Sequence, residues 1–177
     1  MNIAVYCSAK DRIPEEYLRL GDLLGCWIAE HGHTLVYGGA TGGLMTRVSN
    51  AAKRHGGKVL GVIPQRIVAA HRQAENCDSL YLVSTMNDRK DQMKALADCF
   101  VCLPGSYGTL DEMMDVTAAG TVNEHNKPLY VVNYKGFYDA LLTWSEHAKE
   151  LGFLPQQETY KPLFVNSLDE LYTLLTQ

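Results

Sequence analysis

The chain has 177 residues, 46% of them hydrophobic and 20% charged, an ordinary globular composition with enough chain for one domain, expected over residues 1–177, with a sizeable core. Lysine and arginine number 16 against 20 acidic residues, and the net charge of -4 excludes the basic footprint of a nucleic-acid binder. No apolar run approaches the roughly 18 residues of a membrane span, and the start at Met1–Tyr6 goes straight into a strand-like run without a leader pattern, so a cytoplasmic protein with no membrane or nucleic-acid partner is expected.

Along the chain, Ile3–Tyr6 reads as the first strand. A helix is entered at Pro14, with Glu15 and Glu16 in its first turn. Tyr17, Leu20, Leu24, Trp27 and Ile28 fall on one face of it, and Gly32 lies just past its end. Strand Leu35–Tyr37, helix Leu44–Arg54 and the strands Val59–Ile63 and Leu80–Val83 follow. Then come helix Arg89–Ala97, strand Cys99–Leu103, helix Thr109–Ala119 and strand Leu129–Asn133. Helix Phe137–Lys149, an irregular Gly152–Pro162, a short strand Leu163–Val165 and helix Leu168–Thr176 complete the chain. Ser167 and Glu170 open the last helix in a capping-box pattern. Most strand candidates are near-continuous apolar runs, as strands covered on both faces require. The alternation predicts an α/β fold, a parallel sheet of about seven strands with helices on both faces.

Ligands of such sheets bind beyond the carboxyl ends of the strands. The loop Leu103-Pro104-Gly105-Ser106-Tyr107-Gly108-Thr109-Leu110-Asp111-Glu112 joins a buried strand to a helix start. A helix N-terminus presents free N–H groups and the positive end of its dipole, and an anion, most often a phosphate, is the guest expected there. Glu112 stands out, because a loop that only holds phosphate gains nothing from a carboxylate in the first helical turn. Asp111 and Asp115 are nearby alternatives, and Asp115 shares a helix face with Glu112.

A second loop, Tyr37-Gly38-Gly39-Ala40-Thr41-Gly42-Gly43-Leu44-Met45, has the same strand, glycine turn and helix start. Its spacing is not that of a dinucleotide fingerprint, and no acidic residue follows where a ribose would need one. Either it is a tight connection, or it joins the first loop in holding a nucleoside monophosphate. Between the two lies Met86-Asn87-Asp88-Arg89-Lys90, at the ligand end of the Leu80–Val83 strand. Two cations opening a helix face the wrong end of its dipole, which favours pairing with Glu112 or holding an anion over a merely solvated helix start. The cysteines are five, an odd number. Cys99 and Cys102 form a C-x-x-C within an apolar run, where a strand sends the two side chains to opposite faces. Buried, reduced thiols are therefore expected rather than a redox or zinc pair. The six histidines show no ligand spacing, so no metal is expected.

Taken in order, these segments resemble the Lonely Guy family. Pro104-Gly105-Ser106-Tyr107-Gly108-Thr109-Leu110-Asp111-Glu112 is similar to the family's P-G-G-x-G-T-x-x-E, with Ser106 in place of the second glycine. Met86, Arg89 and Lys90 match its Arg-Lys motif, and Tyr37-Gly38-Gly39 with Gly43-Leu44-Met45 match its Y-G-G-x-x-x-G-L-M pattern. Gly57–Pro64, His125–Pro128 and Gly136–Leu142 also look like family segments. His71 and the stretch Ala118–Asn123 depart from the pattern.

The resemblance implies a Rossmann-like three-layer fold, a homodimer and no cofactor. It also implies hydrolysis of the N-glycosidic bond of a nucleoside 5′-monophosphate, AMP or cytokinin riboside 5′-monophosphate, to free base and ribose 5-phosphate. Carried over by position, Arg89 and Glu112 are the catalytic pair. Gly105, Ser106, Tyr107, Gly108 and Thr109 would hold the 5′-phosphate. Gly38, Gly39, Gly42, Gly43, Met86, Lys90 and Asp111 would complete the substrate site. The alternative is a nucleotide or cofactor carrier of the same fold that binds without turnover.

Overall fold

The computed structural model describes residues 1–177. Seven strands form one sheet, and every pairing is parallel. They are β1 (Asn2–Tyr6), β2 (Thr34–Tyr37), β3 (Lys58–Pro64), β4 (Ser79–Val83), β5 (Cys99–Cys102), β6 (Leu129–Val132) and β7 (Leu163–Val165). The helices are α1 (Glu15–Glu30), α2 (Gly43–Arg54), α3 (Gln65–Ala69), α4 (Met86–Leu96), α5 (Tyr107–Thr121), α6 (Asp139–Glu150) and α7 (Leu168–Leu175).

The strand order is β4-β3-β2-β1-β5-β6-β7. The chain builds outward from β1 to β4, then returns to lay β5 against the other side of β1. The crevice between β1 and β5, where the winding reverses, is where an open parallel sheet receives its ligand. This is the α/β Rossmann-like architecture expected from the alternation of elements.

Side chains alternate along each strand between two cores. Ile3, Val5, Leu35, Tyr37 and Val101 pack toward α1, α2 and α7. Ala4, Tyr6, Val36, Phe100 and Cys102 pack toward Met93 of α4 and Met113 and Val116 of α5. Cys99 and Cys102 accordingly lie in different cores, and all five cysteines are free. Glycine makes the layer above the first core compact, because a Cβ at Gly25 would overlap the Val48 carbonyl of α2.

Several boundaries differ from the sequence reading for local reasons. The five-residue helix α3 is too short to carry a periodic signal. Helix α4 begins at Met86 rather than Arg89, because Thr85 caps it and Asp88 returns the capping bond. The paired cations therefore do not open the helix, and the acid in its first turn is Asp88. Helix α5 begins at Tyr107 rather than Thr109, which puts Glu112 two residues deeper in the helix than expected. Ser167 caps α7 as predicted, but Glu170 reaches the N–H of Asn166, one residue before the cap. Gly152–Pro162 carries no helix or strand, as expected. No helix is long and apolar enough to cross a membrane.

Candidate active site

A cavity of about 190 Å³ opens beyond the carboxyl ends of the strands. Cys7 and Ala9 from the end of β1 line it, with Gly38, Ala40 and Met45 from the end of β2 and start of α2. Pro64, Ile67 and Arg72 line it after β3, Met86 and Arg89 from α4, and Ser106, Gly108, Thr109 and Glu112 from α5.

Two charged residues among these are buried, Arg89 at 5% exposure and Glu112 at 4%. Arg89 Nη1 donates to Glu112 Oε1, and Arg89 Nε donates to the Val62 carbonyl of β3 at 3.1 Å. The guanidinium packs against Gly38, where any Cβ would overlap Nη2. This contact explains why glycine follows β2. Burial pushes the Glu112 carboxyl above the usual carboxylate range, and the charge and hydrogen bond of Arg89 pull it only part of the way back. The effect of burial on Glu112 thus outweighs that of its pairing with Arg89. Burial, and then the Glu112 charge, raise the neighbouring thiols of Cys7 and Cys102 and the phenol of Tyr6.

The two glycine-rich helix starts differ. No side chain caps α5, so its first N–H groups stay open on the cavity side, where Ser106, Gly108 and Thr109 line the wall. Ser106 has φ -98° and ψ -161°, extended backbone that serine adopts without strain, so the departure from the family's second glycine carries no conformational cost. Gly105 is needed for packing, since a Cβ there would overlap the Thr109 side chain. The Tyr138 hydroxyl braces this loop by donating to the Leu103 carbonyl at 2.9 Å.

At α2 both glycine donors are already used. Gly43 N–H donates to Asp11 Oδ1 at 2.8 Å and Gly42 N–H to Thr46 Oγ1 at 2.7 Å. Both glycines have positive φ, and a Cβ on either would overlap a backbone carbonyl of the β1–α1 loop, that of Ala9 or Lys10. Their occurrence follows from packing, and neither lines the cavity.

Of the remaining sequence-predicted residues, Gly38, Met86, Ser106, Gly108 and Thr109 line the cavity with Arg89 and Glu112, while Gly39, Gly105 and Tyr107 do not. Tyr107 is 90% exposed. Lys90 and Asp111 also stand outside the lining. Lys90 Nζ pairs with Asp111 at 3.2 Å and Asp115 at 3.3 Å, and Lys94 also pairs with Asp115, at 2.7 Å. Asp115 is thereby committed to the α4–α5 contact. Burial works to raise its carboxyl, but Lys94 and Lys90 together bring it below the usual range. Ile67 and Arg72 were not foreseen, because the segment after β3 has no periodic or glycine signal. One group of metal-capable side chains, Cys26, Glu30 and His55, lies on the α1–α2 surface away from the cavity, where His55 Nδ1 meets Glu30 at 3.1 Å.

Comparison with known proteins agrees with the architecture. The family model described as possible lysine decarboxylase matches residues 45–175. The cytokinin riboside 5′-monophosphate phosphoribohydrolase of Mycobacterium marinum is 37% identical over 168 residues, 95% of this chain and 89% of the relative. An Arabidopsis thaliana protein of the same name is 34% identical over 165 residues, 93% of this chain and 72% of the relative. Among solved structures, the molybdenum cofactor binding protein of Rippkaea orientalis superposes with a TM-score of 0.71 at 22% identity, covering 99% of this chain and 94% of that one. The molybdenum cofactor carrier protein of Chlamydomonas reinhardtii has a TM-score of 0.70 at 20% identity, covering 99% and 98%. These two likenesses show the fold, whereas the closer sequence relatives and the matched model show the family. The chain belongs to the Lonely Guy family, whose model carries the description possible lysine decarboxylase.

Proposed function

We propose that this protein hydrolyses the N-glycosidic bond of a nucleoside 5′-monophosphate, releasing the free base and ribose 5-phosphate. The observation that carries the reading is the buried Arg89–Glu112 pair on the cavity wall beside the uncapped start of α5. The names of its Mycobacterium and Arabidopsis relatives support the same reaction. On this reading AMP and cytokinin riboside 5′-monophosphate are the substrates to try first.

In this mechanism the 5′-phosphate sits on the open N–H groups of α5 around Ser106, Gly108 and Thr109. Cleavage builds positive charge on the anomeric carbon as the base leaves, and the Glu112 carboxylate stabilises that charge. Water attacks the carbon, Glu112 accepts its proton, the bonding electrons leave with the base, and the base takes up a proton as Glu112 gives its own back through solvent. Burial makes Glu112 a stronger base than an exposed carboxylate, which suits this proton transfer. The Arg89 guanidinium, which donates to Glu112, orients that carboxylate. The Lys90–Asp111 contact holds α4 against α5 and thus supports the pair from outside the cavity.

The description as a lysine decarboxylase finds no support in the site. Such chemistry with pyridoxal phosphate needs a Schiff-base lysine, and no lysine lines the cavity. A carrier without turnover is the second reading, favoured by the fold likeness to molybdenum cofactor carriers. Incubation with AMP and isopentenyladenosine monophosphate, followed by chromatography for free base, separates the two. Glu112→Gln is expected to lower turnover by about 10²- to 10⁴-fold while nucleotide still binds. No release of base from any nucleoside monophosphate by the wild type would overturn the hydrolase reading.

We propose further that the protein is a cytoplasmic homodimer. The five unbridged cysteines support a reducing compartment, and exposed Leu80 and Leu82 on the edge strand β4 offer apolar surface for a second copy. Sedimentation at micromolar concentration tests the dimer.

A further inference from the structure

Two guanidinium groups belong to residues that line the cavity, and they differ in what they are tied to. Arg89 is committed to Glu112 and the Val62 carbonyl, whereas Arg72 forms no ion pair. Arg72 is nevertheless held firmly through its backbone. Its carbonyl accepts from the Thr41 N–H at 2.8 Å and from the Thr41 hydroxyl at 3.3 Å, and its own N–H donates to the Ile67 carbonyl at 3.3 Å. Ala74 N–H donates to the Gly39 carbonyl at 2.9 Å, and Ala40 and Gln73 form an isolated bridge. His71 takes φ 55°, an unusual value for a residue with a side chain, where the chain turns to lay residues 72–74 on the glycine loop after β2. The segment is a strap fastened over the β2–β3 end of the crevice.

The position of that strap decides what Arg72 can touch. The open N–H groups of α5 lie at the end of β5, and β5, β1, β2 and β3 are successive neighbours. Three strand spacings of about 4.8 Å separate the ends of β5 and β3 by roughly 14 Å, about the length of an extended nucleoside monophosphate. Glu112 lies between, close enough to Tyr6 and Cys7 of the β1 end to perturb both. A nucleotide with its phosphate on α5 and its anomeric carbon at Glu112 therefore sends its base toward β3. The walls there are apolar, supplied by Pro64, Ile67, Met86, Ala40 and Met45.

We infer that Arg72 is a base-binding residue whose guanidinium plane stacks on the purine held between Ile67 and Met86. A planar, weakly hydrated, permanently charged group with no acidic partner suits an aromatic face, whereas a lysine ammonium would not supply the plane. Arg72 accordingly contributes to affinity for the base half of the substrate and not to the phosphate half or to the chemical step.

This inference rests on the hydrolase reading for its kinetics, and a binding arm separates the two. The variants are Arg72→Ala and Arg72→Lys, with AMP as substrate and with adenine and ribose 5-phosphate as product inhibitors. Arg72→Ala is expected to raise KM for AMP about 3- to 30-fold, with kcat within twofold of the wild type. Inhibition by adenine weakens by a similar factor, inhibition by ribose 5-phosphate stays unchanged, and Arg72→Lys recovers less than half of the loss. Equal weakening of ribose 5-phosphate would assign Arg72 to the phosphate and overturn the inference, as would an unchanged KM. Calorimetry of AMP, adenine and ribose 5-phosphate with Glu112→Gln, with and without Arg72→Ala, tests the same assignment without turnover. A loss confined to AMP and adenine sustains the base site even if the wild type cleaves nothing. Equal binding in both backgrounds removes it.

Discussion

Gly38→Ala is the most informative single perturbation of this site. The added methyl would overlap Arg89 Nη2 and stand 3.0 Å from Cζ and 3.2 Å from the Met45 methyl, inside ordinary contact distance. The backbone at Gly38 is not in the left-handed region, so alanine meets no conformational penalty of its own. The whole effect passes through the guanidinium, which has to retreat by about 1 Å or more. That movement breaks the bond to Glu112 and the 3.1 Å bond to the Val62 carbonyl, leaving a buried carboxylate without its cation.

Breaking a buried pair costs about 3–5 kcal/mol, less whatever Glu112 regains by taking a proton. We expect a loss of about 3 kcal/mol at neutral pH, or roughly 6–12 °C in Tm. Turnover falls about 100-fold or more, because Glu112 is left misplaced for the attack. The pH dependence has a definite sign. Burial already raises Glu112 in the folded state, so its ionisation opposes folding above the folded-state pKa and costs nothing once pH falls below the unfolded value. Removing Arg89 from contact raises that pKa further. The deficit of Gly38→Ala is therefore largest at neutral and alkaline pH and shrinks as pH is lowered toward 5. Urea titrations of both proteins across this range test it. A variant within 0.5 kcal/mol of the wild type, with full turnover, would refute the claim that Gly38 exists to seat Arg89.

The neighbouring motif glycine gives the opposite expectation. Nothing lies within 4 Å of a Cβ built on Gly108, in the first turn of α5, so Gly108→Ala is expected to raise stability by about 0.5–1 kcal/mol in the same titration. A loss beyond 1 kcal/mol would mean the loop packs on that side. For the thiols, a colorimetric thiol reagent added to the folded protein is expected to label half-buried Cys26 and Cys77 and to spare buried Cys7, Cys99 and Cys102 until denaturant is added. Burial holds Cys99 up at about 11, which slows it further. Rapid native labelling of Cys99 or Cys102, or a disulfide between them on mild oxidation, would contradict their placement in separate cores.

Much of the architecture was legible because it is written locally. Val59–Ile63 and Cys99–Leu103 are apolar throughout, which only a strand covered on both faces tolerates, and the helices between carry apolar positions at helical spacing. The loop from Gly105 to Thr109 could be singled out for the same reason, since its strand, turn and helix are consecutive. The resemblance then nominated Arg89 and Glu112. Helix α4 was misjudged at its start because Thr85 and Asp88 form a capping box with aspartate in the acid's place, a weaker signal than glutamate.

What the tertiary structure alone decided is partnership. Arg89 and Glu112 stand 23 residues apart, and only the stacking of α4 beside α5 at the crevice makes them one buried pair. The Gly42–Gly43 turn looks like an anion cradle in sequence, yet Asp11, 32 residues earlier than Gly43, has already taken one of its donors. Lys90 looks like a substrate cation, yet it is committed to Asp111 and Asp115. In each case residue type and local spacing determine what a group can bind. Whether it is free to bind depends on which distant side chain the fold brings within about 3 Å, and local pattern carries no record of that.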